Sequence, residues 1–360
     1  MKIAVILGTR PEIIKLSPII ERLEKGKYDY FILHSGQHYS HNMDEVFFTQ
    51  LNLPRPKYNL KAGSGSHAEE TAKILIGVEK ILKAERPDVI LVEGDTNTVL
   101  AGALAAVKLL IKVGHVEAGL RSFNREMPEE INRIITDHIS DYLFAPTNKA
   151  KENLLREGIN KRRIYVTGNN IVDAVLRNKD IALKKRDILK RLRLSKDSYF
   201  LVTVHRQENV DRKDRFSNIL KGLELISKEF GFPIIYPIHP RAKRRMKEYG
   251  LRPKEITIID PLDYLNFLQL ESNARLILTD SGGVQEEACI LKVPCVTLRY
   301  DTERPETIEV NANVLAGIEP KNILKKVRLM LERKREWSNP FGDGKASERI
   351  IRILERVIDH

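Results

Sequence analysis

Short unbroken apolar runs recur along this chain, each followed by a stretch with helical spacing, and this rhythm restricts the fold more than any other feature. Ile3–Leu7, Tyr30–His34, Val89–Glu93, Lys112–Val116, Tyr142–Ala145 and Ile164–Thr167 make a first series. Phe200–Val204, Pro233–Pro237, Ile256–Ile259, Arg275–Thr279 and Cys295–Leu298 make a second. Helical patterns such as Ile13–Leu23, Ala68–Leu82, Arg215–Phe230 and Val284–Leu291 lie between them. A strand that is apolar on both sides is buried on both faces, as in parallel sheets covered by helices. The strands are too many for one comfortable sheet, and their number and irregular spacing disfavour a (β/α)₈ barrel. The pattern therefore predicts an α/β protein of two Rossmann-like domains, dividing near Gly168-Asn169-Asn170. The expected domains are 1–169, completed by 345–360, and 170–344. The last helical pattern, Ala346–Ile358, follows the turn-rich Asn339–Gly344 with no strand after it, so it is expected to pack back on the first domain.

Composition narrows the function classes. A chain of 360 residues exceeds one ordinary core, and 42% hydrophobic with 31% charged residues excludes both disorder and a membrane bundle. No stretch approaches the ~18 consecutive apolar residues that would suggest a transmembrane helix. The start, Met1–Gly8, is too short for a signal peptide and lacks a small-residue cleavage site, so a cytoplasmic location is expected. Cys289 and Cys295 form no metal pattern and are expected to be small buried apolar residues. The net charge of +12 invites a nucleic-acid reading. However, Lys and Arg alternate with Glu along most of the chain. The densest basic run, Lys184–Lys196, carries Ile188, Leu189, Leu192 and Leu194 at helical spacing, as a solvated helix face would. Neither a nucleic-acid nor a membrane partner is expected.

In open parallel sheets, ligands bind beyond the carboxyl ends of the strands, so the polar residues there are the candidates for a site. The first strand ends in Gly8-Thr9-Arg10-Pro11-Glu12, with Lys15 a helical turn further on. No GxGxxG or GxxxxGK motif is present, and Arg10 and Lys15 suit an anionic ligand unless Arg10 simply pairs with Glu12. Asp95, in Glu93-Gly94-Asp95-Thr96, is either an acid/base group or a helix N-cap. Glu117, in His115-Val116-Glu117-Ala118-Gly119, has no comparable structural role. Glu129 and Glu130 could favour the dipole of the helix they begin. Carboxylates gathered on one rim suggest general acid/base work. His205 and Arg206 follow the first strand of the second series. Thr279-Asp280-Ser281-Gly282-Gly283-Val284-Gln285-Glu286-Glu287 combines a strand end, small residues and a helix start, the makings of a phosphate site. Glu287 is placed to accept from ribose hydroxyls, and Arg304 could add charge for a pyrophosphate.

Taken together and in order, Gly8–Glu12, Gly94–Thr96, Gly114–Arg121, Pro128–Arg133, Thr279–Glu287, Thr302–Glu306 and Asn339–Gly344 resemble the non-hydrolysing UDP-N-acetylglucosamine 2-epimerases from end to end. The resemblance implies a fold of the glycosyltransferase-B type with the C-terminal helix returning to the first domain. It implies interconversion of UDP-N-acetylglucosamine and UDP-N-acetylmannosamine through elimination and re-addition of UDP, with a 2-acetamidoglucal between. It implies no metal and no nicotinamide cofactor, and a homodimer. By the same resemblance Asp95, Glu117 and Glu129 are candidates for proton transfer. His205, Ser281, Gly282, Gly283 and Arg304 would serve the pyrophosphate, Glu287 the ribose and Phe267 the uracil, while Arg10 and Lys15 would line the cleft. Gln37, Glu129, Arg206 and His239 match an allosteric UDP-N-acetylglucosamine pocket of bacterial members. The Arg-Gln pair expected near Gly65-Ser66 is absent, and the loop Phe123–Met127 is shorter than in several bacterial members. A hydrolysing 2-epimerase, a glycosyltransferase of the same fold and a non-catalytic binding protein are the alternatives.

Overall fold

The computed structural model describes residues 1–36, 41–185 and 187–358, and the side chains of 41–45 and 185 lie outside that description. The chain forms two compact units: Met1–Arg177 with the chain from Phe341 onward, and Asn178–Pro340. The division falls inside the helix Asn170–Lys185, beyond the glycine turn that marks the break in the sequence. Arg177 belongs to the first unit because its guanidinium donates to Glu21 and to the Leu51 carbonyl at 2.5 and 2.7 Å.

The first unit holds β1 (Lys2–Leu7), β2 (Asp29–His34), β3 (Tyr58–Asn59), β4 (Val89–Glu93), β5 (Lys112–Val116), β6 (Tyr142–Ala145) and β7 (Ile164–Val166). They form a seven-stranded sheet in the order β3-β2-β1-β4-β5-β6-β7. The second holds β8 (Phe200–Thr203), β9 (Ile234–Pro237), β10 (Ile256–Ile259), β11 (Leu276–Thr279), β12 (Cys295–Thr297) and β13 (Asn313–Leu315), ordered β10-β9-β8-β11-β12-β13. Every pairing is parallel. Ile3, Ala4, Val5, Ile6 and Leu7 are fully buried, as a strand covered on both faces requires. The two Rossmann-like folds expected from the sequence are thus observed. The edge strands β3 and β13 were not legible there: Tyr58–Asn59 has two residues and Asn313–Leu315 opens on a polar one, so neither writes an apolar run into the sequence.

Each strand order reverses once. In the first sheet the reversal lies between β1 and β4, in the second between β8 and β11. A crevice opens at such a point beyond the strand ends, where ligands of doubly wound folds bind. Nearly all candidate residues follow these strands or their immediate neighbours.

The helix Ala346–Ile358 belongs to the first unit, as expected. Buried Asp173 accepts from the Ala346 and Ser347 amides at 3.1 and 3.0 Å, fixing its first turn. Arg22 then reaches Ser347 Oγ at 3.1 Å and Glu348 at 3.2 Å. Cys289 and Cys295 are buried, and burial pushes the Cys289 thiol up to about 12.

The turn after β5 makes a demand on one glycine. Gly119 has φ +84°, and a Cβ there would lie 2.4 Å from the Ala150 carbonyl oxygen and 2.8 Å from Leu154 Cγ. Gly158 has φ +81° but open space around it. Gly158→Ala should therefore cost only the left-handed backbone penalty, ~1 kcal/mol, and Gly119→Ala clearly more. Equal denaturant midpoints for the two variants would show that the Ala150 contact imposes nothing.

Candidate active site

The first unit's site begins with strand register. Parallel pairing sets Glu93, the last residue of β4, opposite Val116 of β5, so Glu93 and Glu117 emerge side by side. Lys15, on the helix Arg10–Lys25 that follows β1, reaches both: its Nζ lies 3.1 Å from Glu93 Oε1 and pairs with Glu117 Oε2. The Glu93 and Glu117 side chains are 2% and 6% exposed, so two carboxylates share one cation almost out of water. Burial pushes Glu93 well above the usual carboxylate range, with Lys15 opposing the shift and Glu117 adding to it. Glu117 itself has φ +70°, a left-handed backbone uncommon for a non-glycine residue.

Asp95 stands apart from that cluster. Its side chain, one-third exposed, pairs with Arg133, whose Nη1 donates to Glu130 at 2.6 Å. Its carbonyl accepts from Asn132 Nδ2 at 2.9 Å. Asp95 does not cap the helix Asn97–Lys108: Thr96 does, its Oγ1 accepting from the Val99 amide at 3.4 Å. The capping alternative for Asp95 is removed.

The neighbouring glutamates divide their roles. Glu130, 1% exposed, accepts from the Ser122 amide and hydroxyl and the Phe123 amide at 3.0, 2.9 and 2.9 Å, shaping the loop before the helix Pro128–Ile139. Glu129 is exposed on the first turn of that helix. Glu12 does not pair with Arg10. It turns back to accept from the Gly8 and Thr9 amides at 2.5 and 3.1 Å and from Thr96 Oγ1 at 2.6 Å, while Arg10 is exposed with its guanidinium 5.6 Å from the Phe47 ring centre. Burial pushes Glu12 up to about 7, even against those hydrogen bonds.

In the second unit, fully buried Asp280 organises the loop after β8. It accepts from the His205 and Arg206 amides at 3.1 and 3.0 Å and from Asn209 Nδ2 at 3.1 Å, and its Oδ1 lies 3.3 Å from His205 Nδ1. The His205 side chain stays 40% exposed. A carboxylate at Nδ1 orients the ring and directs its chemistry to Nε2.

The helix Gly282–Ile290 starts at the end of β11, with Ser281 as its N-cap residue. The Ser281 amide donates to Thr279 Oγ1 at 3.0 Å, so the amides offered to an anion are those of the helix's first turn, Gly282 and Gly283. A Cβ at Gly283 would meet nothing within 4 Å, and one at Gly282 only ordinary contacts with Glu303 and Arg206 at 3.7 and 3.9 Å. The fold's own packing does not require glycine at either position. Arg304 Nε lies 2.8 Å from Glu286 on the same helix, which brings its guanidinium to this end of the sheet. Glu287, 8% exposed, lies beside Tyr264 and buried Glu271; burial and Glu287 together push Glu271 well above the carboxylate range. Phe267 is half-buried on the helix Tyr264–Asn273, packed with Val284 and Ala288 in one core cluster.

A family model described as UDP-N-acetylglucosamine 2-epimerase matches residues 21–355. The chain belongs to the UDP-N-acetylglucosamine 2-epimerase family. It is 61% identical to the UDP-N-acetylglucosamine 2-epimerase of Methanocaldococcus jannaschii, over 98% of this chain and 99% of that one. The crystal structure of that enzyme in complex with UDP-GlcNAc and UDP superposes with a TM-score of 0.87, covering 99% of this chain and 100% of that chain. A UDP-2,3-diacetamido-2,3-dideoxy-D-glucuronate 2-epimerase of Pseudomonas aeruginosa is 40% identical over 99% of this chain and 100% of its own length.

Within this family frame, the first unit brings Lys15, Glu117 and Asp95 to adjoining strand ends, and the second brings His205, Gly282, Gly283 and Arg304 to the ends of its own central strands. Of the residues matched to the bacterial allosteric pocket, Gln37 lies outside the described residues. Arg206 pairs with Glu303 at 3.1 Å, and His239 caps the helix Pro240–Glu248 with its ring 5.6 Å from that of His205. Sequence reasoning passed over Glu93, Asp280 and Glu271. A carboxylate closing an apolar strand was a usable signal for Glu93. Among the described residues no group of three or more His, Cys, Asp or Glu could hold a metal ion, and no helix is long and apolar enough to cross a membrane.

The raised Glu12 carboxyl has a pH signature. Between about pH 4.5 and about pH 7 the folded protein holds a proton that the unfolded chain has released. Stability linked to neutral Glu12 is full below the lower value and is lost as pH rises through the upper one. Denaturation at pH 5 and pH 7.5 should thus show wild type losing more stability than Glu12→Gln, by up to roughly 3 kcal/mol. Identical losses would mean that Glu12 ionises normally.

Proposed function

We propose that this protein interconverts UDP-N-acetylglucosamine and UDP-N-acetylmannosamine without net hydrolysis. The observation that carries the reading is the set of carboxylates at the ends of β4 and the turn after β5: Glu117 bound with Glu93 to Lys15, and Asp95 held separately by Arg133. The C2 proton of the sugar is not adjacent to a carbonyl, so its direct removal is difficult. Loss of UDP makes removal feasible: a base takes the C2 proton, the C2–H electrons form the C1=C2 bond, and the C1–O bond breaks toward the β-phosphate. UDP then adds back to C1 while an acid protonates C2 on the opposite face.

Two faces call for two proton-transfer groups, and Asp95 and Glu117 fill these roles, with exposed Glu129 as the third carboxylate available to the sugar. The second unit serves the leaving group. Gly282 and Gly283 amides, Ser281, His205 and Arg304 meet the pyrophosphate, Glu287 the ribose and Phe267 the uracil. Arg10, with Lys15, contributes positive charge from the first unit. The protein works in the cytoplasm, where nucleotide sugars are available, and, as the resemblance implies, as a homodimer.

With UDP-N-acetylglucosamine alone, proton NMR should follow the anomeric signal of UDP-N-acetylmannosamine rising to a constant ratio. Free N-acetylmannosamine accumulating in step with UDP would indicate a hydrolysing enzyme, and turnover only with an added acceptor a glycosyltransferase. Conversion of UDP-2,3-diacetamido-2,3-dideoxy-D-glucuronate alone would overturn the substrate named here. In the same assay, Asp95→Asn and Glu117→Gln should each lose ~10²–10⁴-fold in turnover with UDP affinity by calorimetry retained. Near-native turnover in either variant would remove that residue from the chemistry.

A further inference from the structure

The two turns that carry Asp95 and Glu117 are joined by a buried polar chain of His115 and Asp137. His115, fully buried on β5, places Nδ1 2.7 Å from Asp137 Oδ1 and Nε2 2.8 Å from the carbonyl oxygen of Gly94, so each ring nitrogen faces an acceptor. Gly94 lies between Glu93 and Asp95 with φ +86°. Asp137, also fully buried, uses Oδ2 to accept from the Gly119 amide at 3.1 Å and pairs with Arg121 at 2.7 Å. Gly119, with φ +84°, closes the turn that begins at Glu117. Arg121 in turn grips Glu157 through Nε and Nη2 at 2.7 and 2.6 Å. One carboxylate and one imidazole thus reach the backbone beside both proton-transfer residues.

We propose that His115 and Asp137 are positioning residues for the reaction: their chain Gly94–His115–Asp137–Gly119 sets the spacing between the turns bearing Asp95 and Glu117. This rests on the reading of those two carboxylates as the proton-transfer pair. The Gly94 amide donates to the Val116 carbonyl at 3.2 Å, and the side-chain bonds from His115 to the Gly94 carbonyl and from the Gly119 amide to Asp137 fix the two left-handed glycines further. Geometry of this kind governs rate steeply, since a misplacement of ~1 Å can cost ~10²-fold.

The test uses the full chain carrying His115→Gln, which can donate on one side only, with Asp137→Asn as the second variant where the first does not fold. Melting temperature establishes the folded state, calorimetry gives the affinity for UDP, and NMR gives kcat at saturating UDP-N-acetylglucosamine. The expected result is a ~10²-fold fall in kcat with UDP affinity within about twofold of wild type. Added to Glu117→Gln, His115→Gln should cost less than about threefold more, because little proton transfer remains to be misaligned. A kcat within about threefold of wild type in the folded single variant would overturn the proposal. So would a full ~10²-fold loss repeated in the Glu117→Gln background, which marks general structural damage. Wild-type protein in the same assay separates the two readings: if it makes no epimer, the parent reaction is wrong, not the positioning chain alone.

Discussion

The Nζ of Lys15 lies 3.1 Å from Glu93 Oε1 and against Glu117 Oε2, and the placement of the first unit's buried carboxylates depends on that shared cation. Two carboxylates this deeply buried repel each other and lose their hydration, so neither would stay in place alone. One cation offsets part of that cost, and the upward shift at Glu93 shows that it does not offset all of it. The sheet order makes the arrangement possible. Because β1 pairs with β4 and β4 with β5, the helix after β1 starts beside the strand end carrying Glu93 and one strand from the end carrying Glu117. The same switch point that opens a crevice for a ligand thus delivers the cation that stabilises the carboxylates.

The second unit solves a different problem with the same topology. At its switch point the residues are small or oriented by Asp280, and the helix Gly282–Ile290 begins with glycines whose lack of side chains serves no packing need. Positions that could hold a Cβ but do not are those where a ligand's oxygen can approach the backbone amides. The first sheet therefore ends in buried carboxylates and the second in free backbone amides, a division that suits the proposed reaction, in which a nucleotide diphosphate leaves and returns.

The fold was legible because burial on both faces writes a continuous apolar run into each long strand. Among the described strands that signal missed β3 and β13, which are too short or too polar to show one. The site was legible wherever one motif holds both the residue and its reason, as at Thr279–Glu287. It was not legible where the partner lies far along the chain. Local spacing offers Arg10 as the partner of Glu12, which bonds Thr96; it offers Asp95 as a cap where Thr96 does the capping; and it shows Glu93 only as the end of a strand. Those pairings are set by strand register, which fixes distances between segments that no local spacing records. Asp280 lay inside a recognised motif, yet its task of orienting His205 across adjacent strands was equally unreadable.

The proposed service of the two faces of C2 by separate groups has one isotopic consequence. A proton taken by one carboxylate cannot be the proton returned by another when both exchange with solvent between the steps. Epimer formed from UDP-N-acetylglucosamine in D₂O should carry deuterium at C2, seen in the proton spectrum as loss of the H2 signal from UDP-N-acetylmannosamine at the first turnovers. Epimer that retains its original C2 proton would contradict the two-carboxylate mechanism built around Lys15, Glu117 and Asp95.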